Sequence, residues 1–241
     1  MAERSALRFE SLPSMLDAES RSALLAPTAF LNFQHPSIHR FIGEAGASTG
    51  SPIDRAVALF YAVRDRIRYD PYRISAEPDD YRASSVADAA HGWCVPKASL
   101  LAACARAVGI PAAVGLADVA NHLNTEKLRA RMGGTDIFYD HGYVAMWLDE
   151  TWVKAVPAFN IELCQRFGVS PTEFDGRGDA LYQEYNARGE LHMQYLVDHG
   201  CWADLPLQKV MDDFARYYPA GMFTTQQSPA EPAFETERPL G

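Results

Sequence analysis

This sequence has no excess of positive charge, no long apolar run and no continuous apolar segment near residue 1. Its 22 lysines and arginines are outnumbered by 31 acidic residues, giving a formal net charge of -9. Because phosphate binding needs a basic surface, this balance argues against nucleic acid as a partner. No apolar run reaches the roughly 18 residues of a membrane-spanning helix. Residues 1–16 carry acids and lack a continuous apolar core, so neither a signal peptide nor a membrane partner is predicted.

Cysteine motifs and other ligand-binding motifs are missing as well. Cys94, Cys104, Cys164 and Cys201 form no Cys-x-x-Cys pair, which speaks against a structural zinc site. There is no Asn-x-Ser/Thr sequon and no glycine-rich phosphate-binding motif. Widely spaced cysteines fit reduced thiols better than a disulfide framework. We therefore predict a cytoplasmic protein, with no metal and no cofactor.

What remains is the composition of a folded protein with a sizeable core. The 241 residues are 48% hydrophobic and 22% charged, which is ordinary for one large domain. We expect an irregular segment over residues 1–50 that packs on the core, and a main domain over residues 51–223. The proline-rich polar tail over residues 224–241 is expected to be flexible. The oligomeric state is not indicated.

Helix and strand signals concentrate between residues 51 and 156. Ser51 and Pro52 open a helix that runs to Ile67, with serine as the N-cap and proline at the first helical position. A second helix, rich in alanine and leucine, runs from Pro96 to Gly109; it is apolar nearly all round and is expected to be buried. Three strands and a last helix are also predicted: Ala112–Val119, His141–Leu148, Trp152–Val156 and Leu207–Tyr217.

Cys94 stands at the N-terminal end of the predicted buried helix. A helix N-terminus carries partial positive charge and free N–H donors, so the pKa of this thiol is expected to fall. The backbone N–H of Cys94 is also placed to donate to a developing oxyanion. The alternative is that Cys94 is a small buried core residue, as most free cysteines are.

A thiolate nucleophile needs a base, and the base needs a group that orients it. His141 leads a strand that should pair beside the helix, and it is the candidate base. Asn160 follows Pro157 and could accept the imidazole N–H, although asparagine in that place often only caps a turn. Trp93 is the candidate substrate-binding residue; it either walls the acyl site or packs beneath the helix.

These residues lie in a longer string that resembles a known family. The sequences GWCVPKASLLAACARAVGIPAAVGLADV and HGYVAMWLDETWVKAVPAFN are similar to the bacterial transglutaminase-like superfamily, which is related to papain-like thiol enzymes. The likeness covers about residues 84–160. It implies an α+β fold in which the nucleophile helix packs on an antiparallel sheet, with Cys94 as nucleophile and His141 as base. The family commonly has aspartate where this chain has Val156, which leaves Asn160 to complete a Cys-His-Asn set.

The predicted activity is thiol acyl transfer without a cofactor. Cys94 would attack an amide, ester or thioester of a protein, peptide or small molecule, and water or an amine would resolve the acyl-enzyme. A second hypothesis is a catalytically silent member of the fold that serves as a binding module. Val156 favours that alternative, whereas Cys94 and His141 argue against it. The polar segment 121–136 is either a flap over the cleft or a plain surface insertion.

Overall fold

The computed structural model of this chain describes residues 7–121, 124–182, 193–223 and 234–238. The helices are α1 (Ala18–Ala23), α2 (Pro36–Glu44), α3 (Pro52–Arg66), α4 (Ala83–Ala89), α5 (Cys94–Ala107), α6 (Glu126–Arg131), α7 (Ile161–Phe167) and α8 (Leu207–Tyr217). The strands are β1 (Arg8–Phe9), β2 (Arg68–Tyr69), β3 (His91–Gly92), β4 (Ala112–Asn121), β5 (Ile137–Leu148), β6 (Thr151–Ala155) and β7 (Met193–Trp202). None of the described helices has the length and apolarity of a membrane span.

Five strands form one antiparallel sheet in the order β1-β7-β4-β5-β6. Helix α5 packs on β5 and β4, and α3 and α4 lie against α5. This arrangement confirms the predicted α+β fold with the nucleophile helix on an antiparallel sheet. A separate parallel pair, β2 and β3, sets Tyr69 beside Gly92, close to the start of α5.

The two strongest helix predictions are confirmed. Helix α3 begins with a capping box, in which the Ser51 hydroxyl accepts from the N–H of Asp54 and the Asp54 carboxylate accepts from the N–H of Ser51. Helix α5 is buried along its whole length except at Ala107, because it lies between the sheet and two helices. It begins at Cys94, two residues earlier than predicted, so the thiol belongs to the first turn.

The N-terminal fifty residues are more regular than the sequence predicted. Helix α2 forms with Pro36 at its start, and its Ile38, Phe41 and Ile42 are buried at the spacing of one helix face. Strand β1 pairs with β7 and so adds an edge to the sheet. The prediction of an irregular segment failed here because a nine-residue helix with one apolar face gives little periodicity to recognise.

Two features of the C-terminal region also differ from the prediction. Strand β7 was not predicted, because several of its positions are exposed and Gly200 interrupts its pattern. Of the predicted flexible tail, residues 234–238 are described, and Phe234 packs against Tyr69, Tyr72 and Phe167. The prediction for the remaining tail residues lies outside the described part of the chain.

Candidate active site

The thiol of Cys94 lies in the first turn of α5, with only 5% of the residue exposed. Burial raises the pKa of this thiol to about 12, although the backbone N–H groups of Gly142, Val95 and Cys94 itself lower it in part. The expected fall in pKa is therefore wrong. The free N–H donors of the helix terminus are present, but they do not offset the loss of hydration that a thiolate would suffer at this depth.

Strand β5 crosses the start of α5 at backbone contact distance. A Cβ atom at Gly142 would lie 2.8 Å from Cα of Val95 and 3.0 Å from the carbonyl oxygen of Cys94. Only glycine permits this approach, and the N–H of Gly142 thereby acts on the Cys94 thiol. His141 precedes Gly142 and so lies beside the first turn of the helix. A β-bulge opposite this point, between Ala117 and Val119, is a common device for aiming side chains at active sites.

The imidazole of His141 is 1% exposed. Burial lowers its pKa to about 3, so the ring is neutral at physiological pH. Its Nε2 lies 3.4 Å from the hydroxyl of Tyr182, and its buried Nδ1 has no hydrogen-bond partner among the described residues. Within that part of the chain, no hydrogen bond joins the imidazole to Sγ of Cys94. Thiol and imidazole are thus two neutral groups on touching elements rather than a preformed ion pair.

Asn160 does not bind His141. Its Oδ1 accepts from the backbone N–H of Tyr69 at 3.1 Å, and its Nδ2 donates to Glu162 at 2.8 Å. The residue is the N-cap of α7, and its amide joins that helix to β2. The expected contact is absent because both ends of the amide are occupied, so the proposed Cys-His-Asn set is not assembled here. Val156 is buried and apolar and cannot take the same place.

Trp93 lines two spaces of very different size. One is a cavity of about 30 Å³ beside Cys94, room for about one water molecule. The other is a cleft of about 320 Å³ that Trp93 also lines, with Arg73, Asp80 and His91 among its other lining residues. Trp93 is 4% exposed and packs on Tyr81 and Phe214. A substrate-binding role for Trp93 stays a prediction.

The walls of the small cavity are mostly apolar and aromatic. Leu128 and Met132, in and just after α6, contribute to it, so residues 124–136 of the polar segment reach the space beside Cys94; a role as a flap stays a prediction. Its other lining residues come from five parts of the chain: Tyr69, Pro71, Ile74, Trp93, Phe138, Tyr139, Phe214, Tyr218 and Met222. The space directly beside Cys94 is therefore narrow and bounded by apolar surface.

A charged cluster lies directly before His141. Asp140 adopts a left-handed φ of 52°, and its buried carboxylate binds the ammonium of Lys209 at 2.5 Å. Nε2 of His199 lies 2.9 Å from Asp118 and 3.9 Å from Asp140. Burial raises the pKa of Asp140 to about 6. Among the described residues, Asp118, Asp140 and His199 are the group with metal-ligand chemistry, but Lys209 already supplies the cation, so we assign no metal.

Sequence reasoning brought out Cys94 and His141 but missed two neighbours of the site. The role of Gly142 could have been predicted, since a glycine within a strand, directly after the candidate base, indicates that another backbone approaches closely there. Tyr182 could not be predicted from the sequence, because it lies 41 residues from His141 in the chain and follows a loop without a motif.

One protein family and two solved structures are similar to this chain. Residues 41–157 match the family model of the transglutaminase-like superfamily. A candidate cysteine protease from Cytophaga hutchinsonii is similar in structure, with 16% identity and a TM-score of 0.43 over 62% of this chain and 46% of that one. The periplasmic domain of TgpA from Pseudomonas aeruginosa shows 22% identity and a TM-score of 0.41 over 60% of this chain and 48% of that one.

This chain spans about half the length of those two solved structures, and likenesses at such TM-scores carry no weight for its chemistry. No curated protein matches it. The family match does not depend on those structures. Its residues include the elements that position Cys94 and His141, which are α3, α5, β4, β5 and β6. Residues 41–157 of this chain are therefore similar in sequence to the transglutaminase-like superfamily.

Proposed function

We propose that this chain is a thiol acyl-transfer enzyme in which Cys94 is the nucleophile and His141 the general base. The observation that carries the proposal is the placement of Cys94. Its thiol lies in the first turn of a buried helix, next to the backbone N–H groups of Cys94, Val95 and Gly142. Such N–H groups are also the donors that stabilise the oxyanion of a tetrahedral intermediate. A cysteine that only fills space has no need of them.

The neutral state of both groups sets the order of the steps. With the pKa of the thiol raised to about 12 and that of His141 lowered to about 3, little thiolate exists before substrate binds. The S–H proton therefore passes to His141 as the S–C bond forms. The imidazolium then gives that proton to the leaving amine or alkoxide as the C–N or C–O bond breaks. A thioester at Cys94 results, and water or an amine attacks it.

The walls of the cavity favour an apolar acyl group. Aromatic and aliphatic side chains surround Cys94, and burial of apolar surface would supply the binding energy. Because the cavity of about 30 Å³ holds only a molecule of the size of water, the acyl group enters a more open state of the protein. Peptides, proteins and small esters or amides with an apolar acyl part are the proposed substrates, and a cytoplasmic location stays a prediction.

Acylation by p-nitrophenyl acetate tests the proposal. The acetyl group is small, and the leaving group departs as the p-nitrophenolate anion, so it needs no proton from the protein. We expect a burst of about one p-nitrophenol per protein molecule and an acetyl group on the peptide that contains Cys94, identified by mass spectrometry after acid quenching. Cys94→Ser should remove the acetylated peptide, and His141→Ala should slow the burst by about 100-fold or more, the contribution of a general base.

Cys104→Ser is the matched control, because Cys104 lies on the same helix and is fully buried away from the cavity. It should leave the burst unchanged. A burst that persists in Cys94→Ser, or a wild-type protein that no acyl donor of the ester, thioester and anilide classes acylates at Cys94, would contradict the proposal.

A binding module is the second candidate, and one specific observation favours it. No hydrogen bond joins the Cys94 thiol to the His141 imidazole among the described residues, and both residues are buried. Catalytic hydrogen bonds are often long before substrate binds, which is why we place the enzyme first. The acylation experiment separates the two, since a silent fold forms no adduct at Cys94.

A further inference from the structure

Tyr182 reaches His141 from the strand side of the site. Ala180 forms a parallel bridge with Ala155, at the end of β6. Its N–H donates to the carbonyl of Lys154 at 2.7 Å, and its carbonyl accepts from the N–H of Val156 at 2.9 Å. Residues 180–182 therefore run beside the end of β6. The family commonly has an acceptor for the imidazole at the position of Val156. Here the pairing of Ala180 with the end of β6 places the phenol of Tyr182 near the imidazole instead.

The ring of Tyr182 is held between two others. It meets the imidazole of His141 edge to face, with centroids 5.2 Å apart, and it packs on Phe159 at 5.1 Å. The residue is 9% exposed. Its hydroxyl lies 3.4 Å from Nε2 of His141. A phenol fixed by packing on both sides can hold the second ring in one orientation, which a mobile side chain cannot do.

Burial decides which way this hydrogen bond runs. A neutral imidazole carries one proton, on Nδ1 or on Nε2. Nδ1 of His141 is buried without a partner among the described residues, and a buried N–H donor left unpaired is rarer and more costly than an unpaired acceptor. The proton therefore belongs on Nε2, where the phenol oxygen accepts it. The lone pair of Nδ1 is then left for the proton of a thiol.

We propose that Tyr182 is the positioning residue of this site, accepting the Nε2–H of His141 and so presenting Nδ1 as the base for Cys94. The inference rests on the proposed function and names the group that takes the place of the missing carboxylate. A phenol brings no negative charge, so the contact is weak while His141 is neutral. It shortens and strengthens when the imidazolium forms, which makes it an interaction of the transition state rather than of the resting protein.

The tautomer of His141 provides a test that needs no substrate. In protein labelled with ¹⁵N-histidine, long-range ¹H–¹⁵N spectra assign the proton to one ring nitrogen, and His141→Ala identifies the signal. We expect the Nε2–H form in the wild type and a mixture of the two tautomers in Tyr182→Phe, which keeps both ring contacts. Tyr81→Phe, which removes a buried hydroxyl that donates to the carbonyl oxygen of Ser75 instead, should leave the tautomer unchanged.

Kinetics supply the second readout. In Tyr182→Phe we expect kcat for ester acylation to fall about 10-fold to 100-fold, the loss of one hydrogen bond to a charged group, while KM changes by less than about 2-fold because the contact strengthens only in the transition state. A wild-type Nδ1–H tautomer, or spectra and kcat of Tyr182→Phe equal to those of Tyr81→Phe, would overturn the role of Tyr182. Absence of wild-type acylation beside the expected tautomers would instead count against the proposed function and leave the Tyr182 contact standing.

Discussion

Replacing Gly142 with alanine should destabilise the protein by about 2–3 kcal/mol and remove most of its acylation activity. The new Cβ would lie 2.8 Å from Cα of Val95 and 3.0 Å from both the N atom of Val95 and the carbonyl oxygen of Cys94. These are backbone atoms of a buried helix, so no side chain can turn aside. Strand β5 or helix α5 must shift, and overpacking of this kind costs about 1–3 kcal/mol. A shift of even part of an ångström between Cys94 and His141 also misaligns the reacting groups.

Urea unfolding and the ester burst measure the two effects on one protein sample. The denaturation midpoint should fall with an unchanged slope, because the unfolded chain exposes the same surface. Gly43→Ala is the matched control: this glycine lies in α2, and a Cβ there would meet no atom within 4 Å. It should be neutral or stabilise by up to about 1 kcal/mol, the helix preference of alanine. A Gly142→Ala protein as stable and as active as the wild type would disprove the close contact of strand and helix.

The elements that place Cys94 and His141 could be predicted because their signals are local. The alanine-rich run ending at Gly109 reads as a buried helix, and the run from His141 to Leu148 reads as a strand, which the structure extends back to Ile137. The hairpin after that strand is equally local: Asp149 and Glu150 both adopt positive φ, at 43° and 61°, as a two-residue turn requires. Patterns of this kind need no knowledge of distant residues.

What the sequence could not supply are the properties set by three-dimensional contact. The pKa of Cys94 was expected to fall from its position at a helix terminus, but its sign depends on how deeply the thiol is buried, and that depth comes from segments such as α6 and α8. Asn160 has the right chemistry for an orienting group, yet Tyr69 and Glu162 hold its amide. Tyr182 reaches His141 only because Ala180 bridges to Ala155, and no local sequence pattern predicts that pairing.

Lys97 provides the second large effect, on the pH dependence of stability. Its side chain is fully buried on the first turn of α5, and its Nζ donates to the carbonyl oxygens of Arg64 and Ile67 at the end of α3. Burial lowers the pKa of Lys97 to about 7, against a smaller opposing effect of Asp65. The same helix turn that carries Cys94 is thus tied to α3 by an ammonium group that burial disfavours.

The sign of the effect follows from proton binding. Between pH 7 and pH 9 the unfolded chain holds a proton on Lys97, since an exposed lysine titrates near 10.4, while the folded protein gives it up. Stability therefore rises with pH in this window, and the contribution of Lys97 is lost as the pH falls through about 7. Between pH 7 and pH 9, this difference between the folded and unfolded pKa of Lys97 raises the free energy of unfolding by about 2 kcal/mol. In Lys97→Met this rise should vanish.

The difference between wild type and Lys97→Met, measured by urea unfolding from pH 7 to pH 9, isolates this group. The buried thiols of Cys94 and Cys104 have the opposite effect on stability, because burial raises their pKa and the free energy of unfolding falls as the unfolded thiols ionise. This effect is the same in both proteins and cancels in the difference between them. Lys154→Met is the control, since its ammonium binds Asp198 on the sheet, and its curve should run parallel to that of the wild type. If the wild-type and Lys97→Met curves were parallel instead, the lowered pKa of Lys97 would be disproved. Lys97 would then stay charged over this pH range and bind the carbonyl oxygens at the end of α3 as an ammonium group.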